Sequence, residues 1–219
     1  MKYFGVAVIV DLVRSRDLPD RSDAQRRLVA AFTLANSKVT AIQPLAPTVG
    51  DESQALYADV PTALLATLLV RLHLPHPIDC RFGIGAGQYE SVGDGGRHPI
   101  QDGPAWWSAR DAILQTKTKE VRQNPSLRTW YLAADGAIDG LPTIPSVAIT
   151  NAYLLCRDEL VSRMHDRGRR LLLGLLHGQS QVDLARAEGI TESAVSQSLR
   201  KSGAYALQAG FDAIRAEVT

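Results

Sequence analysis

Two carboxylates stand where chemistry is most readily built. Asp11 ends an apolar, β-branched run, Tyr3–Val10, and Asp51 sits in the tight turn Gly50-Asp51-Glu52, between Thr48–Val49 and Ser53–Tyr57. In a sheet that pairs those segments, both carboxylates would meet at one edge. Such a pair suits Mg²⁺, which takes one or two carboxylates together with the phosphate oxygens of a ligand. The same residues also have a plainer use, Asp11 as a strand-end cap and Asp51 as a turn former. Other reactive types are less organised. Gly93-Asp94-Gly95-Gly96 lacks the following Lys-Ser/Thr of a phosphate loop and reads as a turn. Leu74-Pro75 interrupts the helix that His73 and His76 would need to share a face, and His98, His165 and His177 have no partner at ligand spacing. Cys80 and Cys156 show neither metal nor disulfide spacing, which suits a reducing cytoplasm. No Ser-His-Asp or Cys-His set assembles.

A second constellation closes the chain. Ser180–Ala187 reads as a short helix, Glu188-Gly189-Ile190 as a turn in which Gly189 is free to take positive φ, and Thr191 as the cap of a second helix carrying Ala194, Val195 and Leu199. Helix, short turn and helix at this spacing fit an α-helix into the major groove of double-stranded DNA. The outward residues would be Thr191, Glu192, Ser193, Ser196, Gln197, Arg200 and Lys201. Gln pairs with adenine, Ser reads either base type, and Arg or Lys holds guanine or phosphate. Arg163, Arg167, Arg169 and Arg170 would add phosphate contacts. The alternative is a helical hairpin with a solvated basic face.

The elements that must position these groups follow from periodicity. Tyr3–Val10 reads as a central strand covered on both faces. Ser22-Asp23-Ala24-Gln25 forms a capping box ahead of a helix with Leu28, Phe32, Ala35, Val39 and Ile42 on one face. Asp59 caps a second helix, with Pro61 in its first turn and Leu64, Leu65, Leu68, Leu69 and Leu72 buried. Cys80–Ile84 is a strand, followed by a Gly-rich loop from Gly85 to Gly103, a helix from Pro104 and a strand around Thr129–Leu132. The order β-α-β-β-α-β, then α and β, is the ferredoxin-like split pattern of an α+β fold: an antiparallel sheet with helices on one face. From about Ile144 the pattern is all helix, with a break at Gly168 and a hinge expected at Pro142 and Pro145. Two domains are expected, 1–140 and 141–219.

Composition sets the limits. The 219 residues are 45% hydrophobic and carry a formal charge of +1, so no global basic field advertises nucleic acid and any DNA contact must be local. The N-terminal apolar run is too short for a secretory signal or a membrane span. A cytoplasmic protein is expected.

The set Val10-Asp11-Leu12-Val13-Arg14-Ser15, Val49-Gly50-Asp51-Glu52 and Arg81-Phe82-Gly83-Ile84-Gly85-Ala86-Gly87 resembles the class III nucleotide cyclase core. In that family two aspartates hold the metal ions that bind a nucleoside triphosphate, which implies that role for Asp11 and Asp51, with Glu52 beside them. The family's helix motif places a catalytic Asn four residues before an Arg. Arg110 matches the Arg, but Trp106 stands in place of the Asn, and Leu45 in place of the base-reading Lys. A cyclase needs donors to stabilise charge on the transferring phosphoryl group, so the resemblance implies a ligand-binding core without cyclisation. Over nearly its whole length the chain resembles the SatD family, on Asp11, Ser15-Arg16, Asp20-Arg21, Gly50-Asp51-Glu52 and the terminal helices. That resemblance implies a cyclase-like sensory domain joined to a DNA-binding tail.

The expected function is a ligand-responsive transcription regulator, dimeric because helix-turn-helix proteins usually read two half-sites, with a nucleotide or related phosphorylated metabolite and Mg²⁺ at Asp11, Asp51, Glu52, Arg110 and Trp106. Of the adjacent Trp106 and Trp107, which face different ways on a helix, only one can stack on a ligand. Two alternatives stand beside it: a metal-dependent nucleotide-processing enzyme at Asp11 and Asp51, and a protein-interaction adaptor.

Overall fold

The computed structural model describes residues 1–15, 17–48, 52–95, 99–134 and 144–218. The chain runs β1 (Tyr3–Leu12), α1 (Arg21–Asn36), β2 (Gln43–Pro47), β3 (Glu52–Tyr57), α2 (Val60–His73), β4 (Cys80–Asp94), β5 (Pro99–Asp102), α3 (Pro104–Lys119) and β6 (Thr129–Ala133). It continues through α4 (Val147–Arg163), α5 (Asp166–Leu176), α6 (Gln181–Glu188), α7 (Glu192–Lys201) and α8 (Ala204–Glu217).

β1 is the middle of the sheet because its residues are apolar on both faces. Val6, Val8 and Val10 point to one cluster with Leu28 and Phe32 of α1 and Leu64 of α2. Ala7 and Ile9 point to another with Ala105, Ala109 and Ile113 of α3. Helices therefore cover both faces of the sheet, not one. β3 and β4 flank β1 antiparallel, and β2 lies outside β3. β6 runs parallel to β4, so the sheet is mixed and not purely antiparallel.

The segment expected as a Gly-rich loop is mostly strand. β4 continues to Asp94 and pairs with β5, with a register shift between Ser91 and Gly93. Its glycines are there for packing. A Cβ on Gly83 or Gly85 would lie under 3.0 Å from backbone atoms of Ala109 and Ile113, or of Ala105 and Ala109. The missing side chains let the α3 backbone rest directly on the strand.

Caps set most helix starts. Asp20, not Ser22, caps α1, its carboxylate accepting from the Asp23 N–H at 2.8 Å. Asp59 caps α2 at 2.7 Å from the Thr62 N–H. The second strand is Gln43–Pro47 and ends before Thr48, while Val49 lies outside the described residues. Asn36 fixes it, donating to the Leu45 carbonyl at 2.9 Å and accepting the Leu45 N–H at 3.1 Å. The chain between α4 and α5 breaks at Met164-His165, and Gly168 lies inside α5.

α2 is buried almost all round, which is why its sequence is apolar on every side. Leu64 and Leu69 join the cluster under the sheet. Leu68 and Leu72 join a second cluster with Val161, Leu171, Leu172, Leu184, Val195 and Leu207 from α4–α8. Each such side chain contributes roughly 1.5–3 kcal/mol. Of the expected hinge prolines, Pro145 is buried just before α4 and Pro142 lies outside the described residues.

Candidate functional site

The end of β1 carries a charged corner. Asp11 lies in register between Glu52 of β3 and Arg81 of β4. α3 crosses above, and its Arg110 and Lys117, seven residues apart, share one helical face. Lys117 Nζ stands 2.7 Å from Asp11 Oδ2. Arg110 grips both oxygens of Glu52, and Gln54 Nε2 donates to Glu52 Oε1 at 2.9 Å. Burial works against the Glu52 carboxylate, but the Arg110 and Gln54 hydrogen bonds outweigh it and hold its pKa below the ordinary range. A cavity of about 470 Å³ opens here, lined by Asp11, Arg14, Ser15, Asp17, Arg81 and Lys117.

Asp51 lies outside the described residues, so its distance from Asp11 is not part of this geometry. Among the described residues no group of three His, Cys, Asp or Glu side chains converges. Asp11 and Glu52 each hold a cation already. The expected pair of Asp11 and Asp51 thus lies partly outside the described residues; those described set Arg14, Arg81 and Lys117 around Asp11, a surround that suits an anionic ligand.

From this corner a chain of ion pairs runs into the helices. Arg81 meets Glu120 at 2.6 Å, Glu120 meets Arg128 at 3.1 Å, and Arg128 meets Asp79 at 2.8 Å. Asp79 meets Arg71 at 3.3 Å, and Arg71 meets Asp158 at 3.0 Å. Asp79 is opposed by desolvation but held low by Arg71 and Arg128. Arg71 is raised, its burial outweighed by Asp79 and Asp158. A larger cavity of about 690 Å³ lies beside these pairs and reaches from Arg14 to Ser162 and Arg169. Sequence reasoning missed this network, because its members are scattered over α2, β4, α4 and the connecting segments and share no local motif.

At the other end, α6 and α7 form a short hairpin. Ser180 caps α6, its hydroxyl accepting the Asp183 N–H at 3.1 Å. Gly189 takes φ 63°, and Thr191 Oγ1 accepts the Ala194 N–H at 3.2 Å. Leu184, Val195 and Leu199 turn inward. Thr191, Glu192, Ser193, Gln197, Arg200 and Lys201 are exposed, and Ser196 is half-buried. Next to α7 a concavity of about 500 Å³ is lined by Arg163, His165, Arg167, Arg170 and Lys201 among others. Glu188 partly neutralises it, bonding Arg170 at 2.7 and 2.8 Å; those bonds hold the Glu188 pKa down. Arg169 does not belong to this basic surface. It is buried, and its guanidinium donates to the carbonyls of Arg71, Leu74 and Val161, closing the C-terminal ends of α2 and α4.

The two tryptophans part as helix geometry requires. Trp107 is exposed and donates Nε1–H to Asp102 at 2.8 Å. Trp106 is buried against Ala7, Ile9 and Tyr89, and its Nε1–H has no partner among the described residues.

The SatD family model matches residues 5–207. No curated protein matches the sequence. Among solved structures, a bacterial light-regulated adenylyl cyclase is similar with a TM-score of 0.44 and 14% identity, over 54% of this chain and 41% of that one. A dimeric guanylyl cyclase domain from the aquatic fungus Blastocladiella emersonii gives 0.41 and 14%, over 52% and 75%. The adenylyl cyclase CyaB from P. aeruginosa gives 0.38 and 15%, over 50% and 71%. The chain thus spans under half of the first of these proteins. No helix among the described residues is long and apolar enough to cross a membrane.

Proposed function

The chain belongs to the SatD family, and we propose that it is a DNA-binding transcription regulator whose sheet domain senses a phosphorylated ligand. The observation that carries this reading is the outward face of α7. Gln197, Arg200 and Lys201 stand exposed on a helix fixed from beneath by Val195 and Leu199, behind a left-handed Gly189 turn. A helix so presented reads base edges: Gln matches adenine, and Arg or Lys matches guanine. The neighbouring concavity with Arg163, Arg167 and Lys201 would seat backbone phosphates and make binding salt-sensitive. Two half-sites imply a homodimer on DNA. The charged cavity at Asp11 is the natural input, since a phosphate there meets Arg14 directly and competes with Asp11 for Lys117 and with Glu120 for Arg81.

Gel-shift assays of the full chain against genomic fragments test this. Salt-sensitive retention is expected, and it should fall at least about tenfold in a Gln197→Ala/Arg200→Ala double variant, as two contacts of ~1 kcal/mol or more would require. No retention at low salt refutes it. The charged corner also leaves room for an enzyme: Mg²⁺- or Mn²⁺-dependent turnover of ATP or GTP, abolished by Asp51→Asn, would replace the regulatory reading.

A further inference from the structure

The cavity of about 690 Å³ beside the ion-pair network is walled by both the sheet and the helices that follow it. The turn after β1 supplies Arg14 and Leu18, the segment between α3 and β6 supplies Arg122 and Arg128, and α4 and α5 supply Ser162 and Arg169. Asp79 and Glu120 also line it, but both are engaged by Arg71, Arg81 and Arg128.

Arg169 is the cation that the network leaves out. It is 7% exposed, and its two terminal nitrogens donate to three backbone carbonyls. Among the described residues its Nε–H has no acceptor and no carboxylate pairs with its charge. Burial works against both Arg71 and Arg169. At Arg71 the charges of Asp79 and Asp158 outweigh it and raise the pKa. At Arg169 the repulsion of Arg71 adds to it, Asp79 and Asp166 do not make up the difference, and the pKa falls. Buried charges are almost always paired, so an unmatched guanidinium on a cavity wall marks a place where an anion is missing.

The mouth is charged in the same sense. Arg14 and Arg122 are exposed, and neither has a partner among the described residues. Against these three cations the lining sets one carboxylate not engaged by another described residue, the exposed Asp17. Arg14 is held at φ 50°, a conformation that residues other than glycine rarely adopt. Its turn is fixed by the Val13 N–H donating to the Asp79 carbonyl and the Asp17 N–H to the Arg14 carbonyl, each at 2.9 Å. Strained residues of this kind gather at ligand clamps.

We propose that this seam binds a small organic anion, a single carboxylate or phosphate head on an apolar body. The head meets Arg169, Arg122 and Arg14, and charge-assisted bonds to guanidinium groups hold it. The body lies on Val13, Leu18, Pro19 and Val121. A cavity of this size accommodates a ligand of metabolite dimensions. Such an anion touches both parts of the chain at once, since Arg14 and Arg122 belong to the sheet part and Arg169 to the tail. It is a different site from the corner at Asp11, with which it shares only Arg14 and Asp17. It does not rest on the regulatory reading.

The test is calorimetric titration of the full chain, with chelator present, against benzoate, phenyl phosphate, inorganic phosphate and benzamide. Benzoate or phenyl phosphate is expected to bind, and the tighter of the two identifies the head group. Inorganic phosphate, without a body, should bind more weakly, and uncharged benzamide should not bind. Arg122→Glu should weaken binding about tenfold or more, as the loss of a hydrogen bond to a charged group does. Lys117→Ala, which alters the Asp11 corner alone, should leave it unchanged. Arg169→Met should abolish it; far-UV circular dichroism and Tm report whether that variant folds, and the exposed Arg122 decides the matter if it does not. The proposal falls if neither organic anion binds at millimolar concentration, if benzamide or inorganic phosphate binds as tightly as either, or if Arg122→Glu binds like the parent. It falls too if Lys117→Ala weakens binding as much as Arg122→Glu, which would put the anion in the corner. DNA retention is measured separately, and its failure would count against the regulatory reading alone.

Discussion

Replacing Asp158 by Asn tests how the sheet and the helices that follow it are held together. The carboxylate is fully buried, and its two oxygens divide the work. Oδ1 accepts from Arg71 Nη1 at 3.0 Å and from Arg157 Nε and Nη2 at 3.2 and 3.1 Å. Oδ2 accepts the backbone N–H groups of Arg128 and Thr129, each at 2.7 Å, at the start of β6. Asparagine keeps one acceptor oxygen. Its NH₂ must then face either two guanidinium groups or two backbone N–H groups, donor against donor. Removing one partner of a buried ion pair costs about 3–5 kcal/mol. At about 2–4 °C per kcal/mol for a chain of this length, Tm should fall by roughly 6–20 °C. Urea unfolding followed by circular dichroism at neutral pH, with calorimetry beside it, measures this. Glu52→Gln is the control, because Arg110 and Glu52 are 49% and 24% exposed and such a pair contributes under about 1 kcal/mol. If Asp158→Asn stays within about 1 kcal/mol of the parent, below that buried-pair range, the network does not hold the two parts together.

Two further outcomes follow from the packing and the charges. Gly85→Ala sets a methyl group into the backbone of Ala105 and Ala109, and forcing α3 away should cost about 3 kcal/mol in urea unfolding, the upper range for overpacking. The Asp79 pKa is lowered in the folded chain, so its contribution is present above the unfolded value, near ~4, and is lost as pH falls through the folded one. Stability measured against pH should therefore decline on the acid side, and Asp79→Asn should flatten that decline.

Elements governed by local chemistry were readable in the residues alone. The central strand, the caps at Asp59 and Thr191, and the left-handed Gly189 turn all rest on neighbours within a few positions. What depends on distant packing was not. Gly85 and Gly87 read as a loop because nothing in the sequence says that a helix backbone lies against them. Arg169 read as part of a basic surface, and Arg71, Arg157 and Asp158 drew no reading at all, because their partners are up to 98 residues away. The final helix, α8, offers no strong cap: its N-cap is Gly203, without a side-chain bond. At the charged corner, Asp11 and Glu52 were legible from their place at a strand end and a turn. Their pairing with Lys117 and Arg110 became visible only when α3 was laid across the sheet. The cavity at Arg169 draws Arg14, Arg122 and the buried guanidinium from three separate segments and left no contiguous motif.

The position of α2 between two apolar clusters has a consequence for how this chain tolerates change. Leu64 and Leu69 serve one neighbour, while Leu68 and Leu72 serve the other. Inserting one residue midway turns everything beyond it by about 100°, swinging both sets out of place at once. The helix behaves as a party wall: neither tenant can shift it alone, so substitutions on one flank must be accommodated by the residues opposite.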